Sequence, residues 1–362
     1  MIKVALVGVG NCASSLIQGK DYYHNRPNQE IGLMHKDFGG YKLQDISFVA
    51  AFDIDKRKVG NDLTKAIFAP PNCADRLDPQ KPLEESGVIV QMGHVLDGVA
   101  SHMTDIFKVS DAPASDVVQV LRDSGAEILI NYLPVGSAAA SRFYADCCLE
   151  AGVAFINAIP EFICSDDGWI AKFKKAGLPC AGDDIKSQVG ATILHRSLAK
   201  LVDDRGQLIE NTYQLNIGGN TDFENMIDET RLISKRKSKT QAVTSILSDR
   251  NKDIPVKIGP SDHVSHLGDN KVCYINIKGK QFGDVPFEIE CKLSVQDSPN
   301  SAGVMVDAIR GVKIALDRGL SGNLEGLSSY LFKSPRVQFR DDKARQAVEN
   351  FIHNPDISLK RV

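Results

Sequence analysis

The chain has 362 residues, 43% of them hydrophobic and 25% charged, with a formal net charge of −3. That length exceeds one ordinary core and calls for two domains, or one with a large insertion. Without a basic excess, nucleic acid is excluded as a favoured partner, and no apolar run reaches the ~20 residues of a membrane span. Eight scattered cysteines (Cys12, Cys73, Cys147, Cys148, Cys164, Cys180, Cys273 and Cys291) show no C-x-x-C spacing and read as small buried residues in a reducing compartment. Met1 leads straight into the first apolar run, with no signal-peptide pattern, so a cytoplasmic location is expected.

After Lys3, residues 4–7 form an apolar run that meets Gly8, Gly10 and Ala13 before a helix begins. Strand, glycine turn and helix in that order make the dinucleotide fingerprint G-x-G-x-x-G/A. Gly8 permits the tight turn, Gly10 lets backbone approach a pyrophosphate, and Ala13 lets helix and strand pack closely. The helix start offers Asn11, Cys12 and their neighbours, with free N–H groups and a positive dipole end.

The polar stretch 21–45 precedes a second strand, 46–53, that ends in Asp53. An acid at that strand end takes ribose hydroxyls and favours NAD. Here it falls at twice the usual spacing of about 20 residues, which makes 21–45 an insertion. Asp55 is the alternative acid; Asp53 leads because it ends the apolar run. Further strands are predicted at 87–92, 127–134, 153–158 and 178–184, alternating with helices at 114–124 (capped by Asp111 or Ser115) and 136–151. This alternation implies a doubly wound parallel sheet with its ligand at the strands' carboxyl ends, where Gly8, Asp53, Asn131 and Asn157 fall.

After residue 203 the pattern changes. Residues 211–217, 272–278 and 287–295 alternate apolar and polar, as half-buried antiparallel strands of an open sheet do. A helix over 302–318 then returns to the first domain. The expected organisation is a dinucleotide-binding domain over 1–187, an α+β domain over 188–296 and a C-terminal return over 297–362.

Three places invite chemistry. Lys235 and Lys239 share a face if their segment is helical, and they suit a phosphate or an oxyanion; a solvated basic face is the plain alternative. Asp183 and Asp184, followed by Lys186, form either a structural ion pair or a proton-transfer pair near the nicotinamide. His263 and His266 offer two metal ligands without a clear third, so no metal site is assigned.

Several segments together resemble the inositol-phosphate synthase (myo-inositol-1-phosphate synthase) family in its short prokaryotic form. They are residues 8–15, 131–137, 182–188, 216–223, 234–243, 297–301 and 329–335, in family order over almost the whole chain. The resemblance implies a Rossmann-type NAD-binding sheet with an inserted catalytic and tetramerisation domain. It implies conversion of D-glucose 6-phosphate to 1D-myo-inositol 3-phosphate, the first step of inositol biosynthesis. Hydride leaves C5 for NAD, the C6 enolate attacks the C1 aldehyde, and NADH returns the hydride. The tightly bound NAD is thus regenerated each turnover.

Carried over residue by residue, the resemblance marks Lys235, Lys239, Lys271 and Lys333 as active-site lysines, with depressed pKa values expected of a buried cluster. Asp184 and Asp297 become the acids. Ser187 and Asp222 become groups beside the nicotinamide, Lys235 also counts as a cofactor contact, and Asn216 and Asn220 become substrate-loop residues. Asp62, Asn131, Leu133 and Tyr144 join Gly8, Gly10, Asn11, Cys12, Ala13 and Asp53 as cofactor contacts. Lys278 and Lys280 compete with Lys271. The family also implies a homotetramer and, in some members, a divalent or monovalent cation. The rival reading is an NAD-dependent dehydrogenase of another phosphorylated substrate. A non-catalytic NAD sensor would need neither the acids nor the lysines.

Overall fold

The structure is a computed structural model that describes residues 1–228, 231 and 242–354. Its first sheet has seven strands: β1 (Ile2–Val7), β2 (Ile46–Asp53), β3 (Val90–Met92), β4 (Ile128–Asn131), β5 (Ala154–Asn157), β6 (Pro179–Gly182) and β11 (Gly322–Asn323). All are parallel, in the order β11-β6-β5-β4-β1-β2-β3. The order reverses at β1, between β2 and β4, which is the switch point where such sheets bind ligands. β1 is buried on both faces: Ile2, Val4 and Leu6 join one apolar cluster, Ala5 and Val7 the other. That explains its continuous apolar run, and Leu6→Ala would cost about 2–5 kcal/mol.

Helices cover both faces: α1 (Asn11–His24), α2 (Leu63–Ala66), α3 (Val117–Ser124), α4 (Ala138–Ala151) and α5 (Asp167–Lys175). α3 starts later than the 114–124 predicted, because Asp116, not Asp111 or Ser115, caps it by accepting from Gln119 N at 3.0 Å. In the C-terminal part come α8 (Asp297–Asp317), α9 (Glu325–Leu331) and α10 (Asp341–His353); α8 packs on α1. α8 begins at Asp297 rather than at 302, since a proline at position 299 sits in the first turn, where N–H groups have no intrahelical partner anyway. From α8, the fully buried Arg310 donates to the His35, Lys36 and Tyr41 carbonyls. This fixes the insertion 21–45, which the polar sequence left as an irregular stretch.

The second sheet contains β7 (Leu208–Gly218), β8 (Val256–His263), β9 (Asn270–Lys280) and β10 (Pro286–Gln296), ordered β10-β9-β7-β8. Between the sheets the chain forms α6 (Ala191–Asp204) and, after β7, α7 (Thr221–Asn225). Sequence reading missed β8, and the sheet is mixed rather than antiparallel, because β8 runs parallel to β7. Pro260 argues against a strand, yet β8 is an edge strand, where a missing N–H is tolerated.

Candidate active site

One cleft lies at the carboxyl ends of β1, β2 and β4 and is closed by the second sheet, with a cavity of about 250 Å³. Its lining includes Gly8, Gly10, Cys12, Asp53, Leu133, Tyr144, Asp184, Ser187, Asn216, Asn220, Asp222, Lys271, Asp297 and Lys333. Residues spread from 8 to 333 thus meet in one place.

The glycine turn is built for close approach. Gly8 has φ +90°, and a Cβ there would lie 2.5 Å from the Tyr132 carbonyl oxygen, so only glycine fits. A Cβ at Gly10 would meet nothing within 4 Å; that open space faces the start of α1, a cradle suited to a pyrophosphate. Ala13 is fully buried between helix and sheet. Asn11 lines the cleft, but its Oδ1 accepts from Cys73 N and Ala74 N, so it also ties the turn to the following loop. Burial pushes the Cys12 thiol up to about 12.

Asp53 accepts from Val9, Ile54 and Asp55 N–H groups and presents its carboxylate to the cleft. Asp55 is fully buried and bonded to Arg57; it has no place in the lining. Asp62 caps α2 through Thr64 and accepts from Ser86 and Gly87, so its carboxylate organises a loop next to the lining residues. Asn131 is also behind the wall: fully buried, it donates to Ser141 Oγ and Asn157 Oδ1 and accepts from Leu133 N. It holds Leu133, which does line the cleft.

The paired acids separate by role. Asp183 accepts from Asn157, Ile163, Cys164 and Ser165, and burial pushes it up to about 6; it is a buried structural hub. Asp184 sits at φ +63°, held by Asp184 N donating to Ile159 O and Lys333 N donating to Asp184 O. A non-glycine residue there costs roughly 1–2 kcal/mol, the kind of strain that gathers at functional sites. Its carboxylate accepts from Lys333 Nζ at 2.6 Å. Lys186 pairs with neither acid. It donates to the Ser329 and Tyr330 carbonyls and lies 3.5 Å from Asp341, with burial pushing it down to about 7.

A second carboxylate–lysine pair, Lys271 with Asp297, joins β9 to the first turn of α8. Among its competitors, Lys278 pairs with Glu288 and Lys280 with Glu210, both on the surface. Lys235 and Lys239 lie outside the described residues. Asn220 caps α7 and donates to Asp269 at 3.1 Å. Asp269 in turn accepts from Ser298 at the start of α8. Asn216 donates to Gly259 O and accepts from Gln214, and the buried His195 ring lies 3.2 Å from Gln214 Oε1. Asp269, Gln214, Lys58 and Asn72 were missed in sequence, where each reads as an ordinary polar residue. Among the described residues, no group of three or more His, Cys, Asp or Glu could hold a metal ion. His263 instead faces the Gly219 carbonyl. No described helix is long and apolar enough to cross a membrane.

The switch-point cleft, glycine turn and strand-end acid define the class: an α/β protein of the Rossmann, dinucleotide-binding type. A family model described as Myo-inositol-1-phosphate synthase matches residues 190–298. The chain is 54% identical over 357 residues to the inositol-3-phosphate synthase of Mycolicibacterium smegmatis, covering 97% of this chain and 98% of that protein. In structure it is similar to Ari2 (TM-score 0.79, 33% identity, 98% of this chain and 99% of that one). The inositol-3-phosphate synthase of Caenorhabditis elegans, at 16% identity and TM-score 0.78 over 99% of this chain and 88% of that one, shares the fold. This chain belongs to the myo-inositol-1-phosphate synthase family.

Proposed function

We propose that this chain converts D-glucose 6-phosphate to 1D-myo-inositol 3-phosphate with NAD, by oxidation at C5, enolisation, aldol closure of C6 onto C1 and reduction at C5. The observation that carries the reading is that one cleft joins the glycine turn and Asp53 to two carboxylate–lysine pairs, Lys333–Asp184 and Lys271–Asp297.

The open cradle at Gly10 and the Asp53 carboxylate fit a dinucleotide, with Gly8, Cys12, Leu133, Tyr144, Ser187 and Asp222 around it. NAD, when bound, supplies a hydride acceptor and then a donor, which makes the reaction redox-neutral. The protein's own groups do the rest. Lys333 and Lys271 offer ammonium charge to the sugar oxygens that become anionic, where fixed cations in a closed cleft act most strongly. Asp184 and Asp297 orient those lysines and relay protons. Asn216 and Asn220, each locked by its own hydrogen bonds, hold substrate hydroxyls. Lys235 and Lys239 are assigned the phosphate and the remaining oxyanion on the family resemblance. A cation beside the cofactor phosphates belongs to the same assignment.

We take 1–187 with 297–362 as the dinucleotide-binding unit and 188–296 as the catalytic and assembly unit. A homotetramer through the second sheet is supported by β10, an edge strand with half-buried Phe287, Ile289, Cys291 and Leu293 on one face. Long edges of this kind are normally covered. Phosphorus NMR of glucose 6-phosphate incubated with the protein and NAD should show an inositol phosphate signal. No product under varied cation conditions would overturn the reading.

A further inference from the structure

Four residues around the glycine turn close a polar ring. Val9 N donates to Asp53 Oδ2 at 2.8 Å, and Lys58 Nζ lies 3.7 Å from the same oxygen. Lys58 Nζ donates to Asn72 Oδ1 at 3.1 Å. Asn72 Nδ2 returns to the Val9 carbonyl at 3.0 Å and also reaches Ile67 O. Asp53, Lys58 and Asn72 all line the cleft.

The ring is nearly dry: the Lys58 side chain is 3% exposed and that of Asp53 11%. A buried ammonium is tolerated only when paired, so Asp53 and Asn72 are what keep Lys58 where it is. Conversely, Lys58 pulls on the carboxylate that the Val9, Ile54 and Asp55 N–H groups already orient. The nearby Arg57 is committed to Asp55 and the Ile106 carbonyl, which among the described residues leaves Lys58 as the cation paired with Asp53. The acid that reads the ribose and the turn that receives the phosphates are therefore one rigid unit.

We propose that Lys58 is a positioning residue that sets dinucleotide choice: it holds Asp53 for an unphosphorylated ribose, and Asp53 in turn masks it from a 2′-phosphate. This rests on the dinucleotide reading above. A carboxylate repels a 2′-phosphate and a lysine attracts one, so the pair carries both preferences and Asp53 decides which is expressed. Without the carboxylate, the ammonium is left facing the cleft without its counter-charge.

The test is titration calorimetry of the full chain with NAD and with NADP, on the wild type, Asp53→Ser, Lys58→Met and the double variant. Thermal unfolding without dinucleotide reports whether each variant folds. The wild type should prefer NAD. Asp53→Ser should weaken NAD about tenfold and tighten NADP about tenfold, and the double variant should lose the NADP gain. Lys58→Met alone should weaken NAD several-fold with NADP still poor. Asp53→Ser with no NADP gain, or the same gain with and without Lys58, would overturn the proposal while leaving NAD use intact. A wild type that binds neither dinucleotide would overturn the underlying reading as well. If Lys58→Met does not fold, Asp53→Ser is compared with Asp53→Ser carrying Lys58→Gln: loss of the NADP gain in the second supports the proposal, and an equal gain overturns it.

Discussion

The cleft has two halves built by opposite means. The glycine-turn half is local: Gly8, Gly10, Asn11, Cys12 and Ala13 lie within six positions, and backbone geometry makes the site. The carboxylate–lysine half is assembled from distant places, with Asp184 after β6, Lys271 on β9, Asp297 at the start of α8 and Lys333 after α9. Its charges arrive already paired, Lys333 with Asp184 and Lys271 with Asp297. The first half presents N–H groups and space, so it binds. The second presents compensated charge in a closed cleft, so it can move protons and stabilise anions without leaving an ion bare.

The largest effect expected is on turnover, and it separates the halves directly. Lys333→Ala should lower inositol phosphate formation by at least about 10²–10³-fold, the scale of losing one preorganised electrostatic contact. Dinucleotide affinity should stay within a factor of two, measured by titration on the same sample. A parallel loss of dinucleotide binding would mean that the two halves are not separate devices.

Next comes a contrast inside the glycine half. Gly8→Ala places a Cβ against the Tyr132 carbonyl at positive φ and should lower both thermal stability and dinucleotide binding. Gly10→Ala has room for its Cβ, so its melting temperature should hold while dinucleotide affinity falls about tenfold. Equal melting losses would show that both glycines serve packing alone.

The smallest effect concerns the support beneath Asn216. Burial pushes His195 down to about 4, below its value of ~6.5 in an unfolded chain. Between those values the unfolded chain binds the extra proton. The stability from a neutral His195 is thus present above pH 6.5 and lost as pH falls through about 4, by up to about 3 kcal/mol. His195→Gln should flatten that slope in urea unfolding series run from pH 7 to 4. An unchanged slope would remove His195 from the account.

The same division governs what the sequence discloses. The fingerprint was legible because each glycine answers a local steric demand, and the buried strands because parallel sheets need continuous apolar runs. Asp184 was visible as one of a pair of acids, but Lys333 and Asp297 came into view only through the family resemblance, since no spacing rule links positions more than 100 residues apart. Asp269, His195, Lys58 and Asn72 were not legible at all: a buried hydrogen-bonded polar residue and a surface one have the same letter. That Asp62 caps α2 was likewise not legible, since the sequence shows an acid and not the helix start it serves. β8 was lost to its proline, which only the sheet's edge makes tolerable.

The central claim is that hydride taken in one half of the cleft is returned after ring closure prepared by the other. It is tested most directly by giving the protein excess glucose 6-phosphate with sub-stoichiometric NAD, following absorbance near 340 nm and product together. The account predicts many inositol phosphates formed per NAD with a flat absorbance trace. One NADH accumulating per sugar phosphate consumed, with no cyclised product, would contradict it.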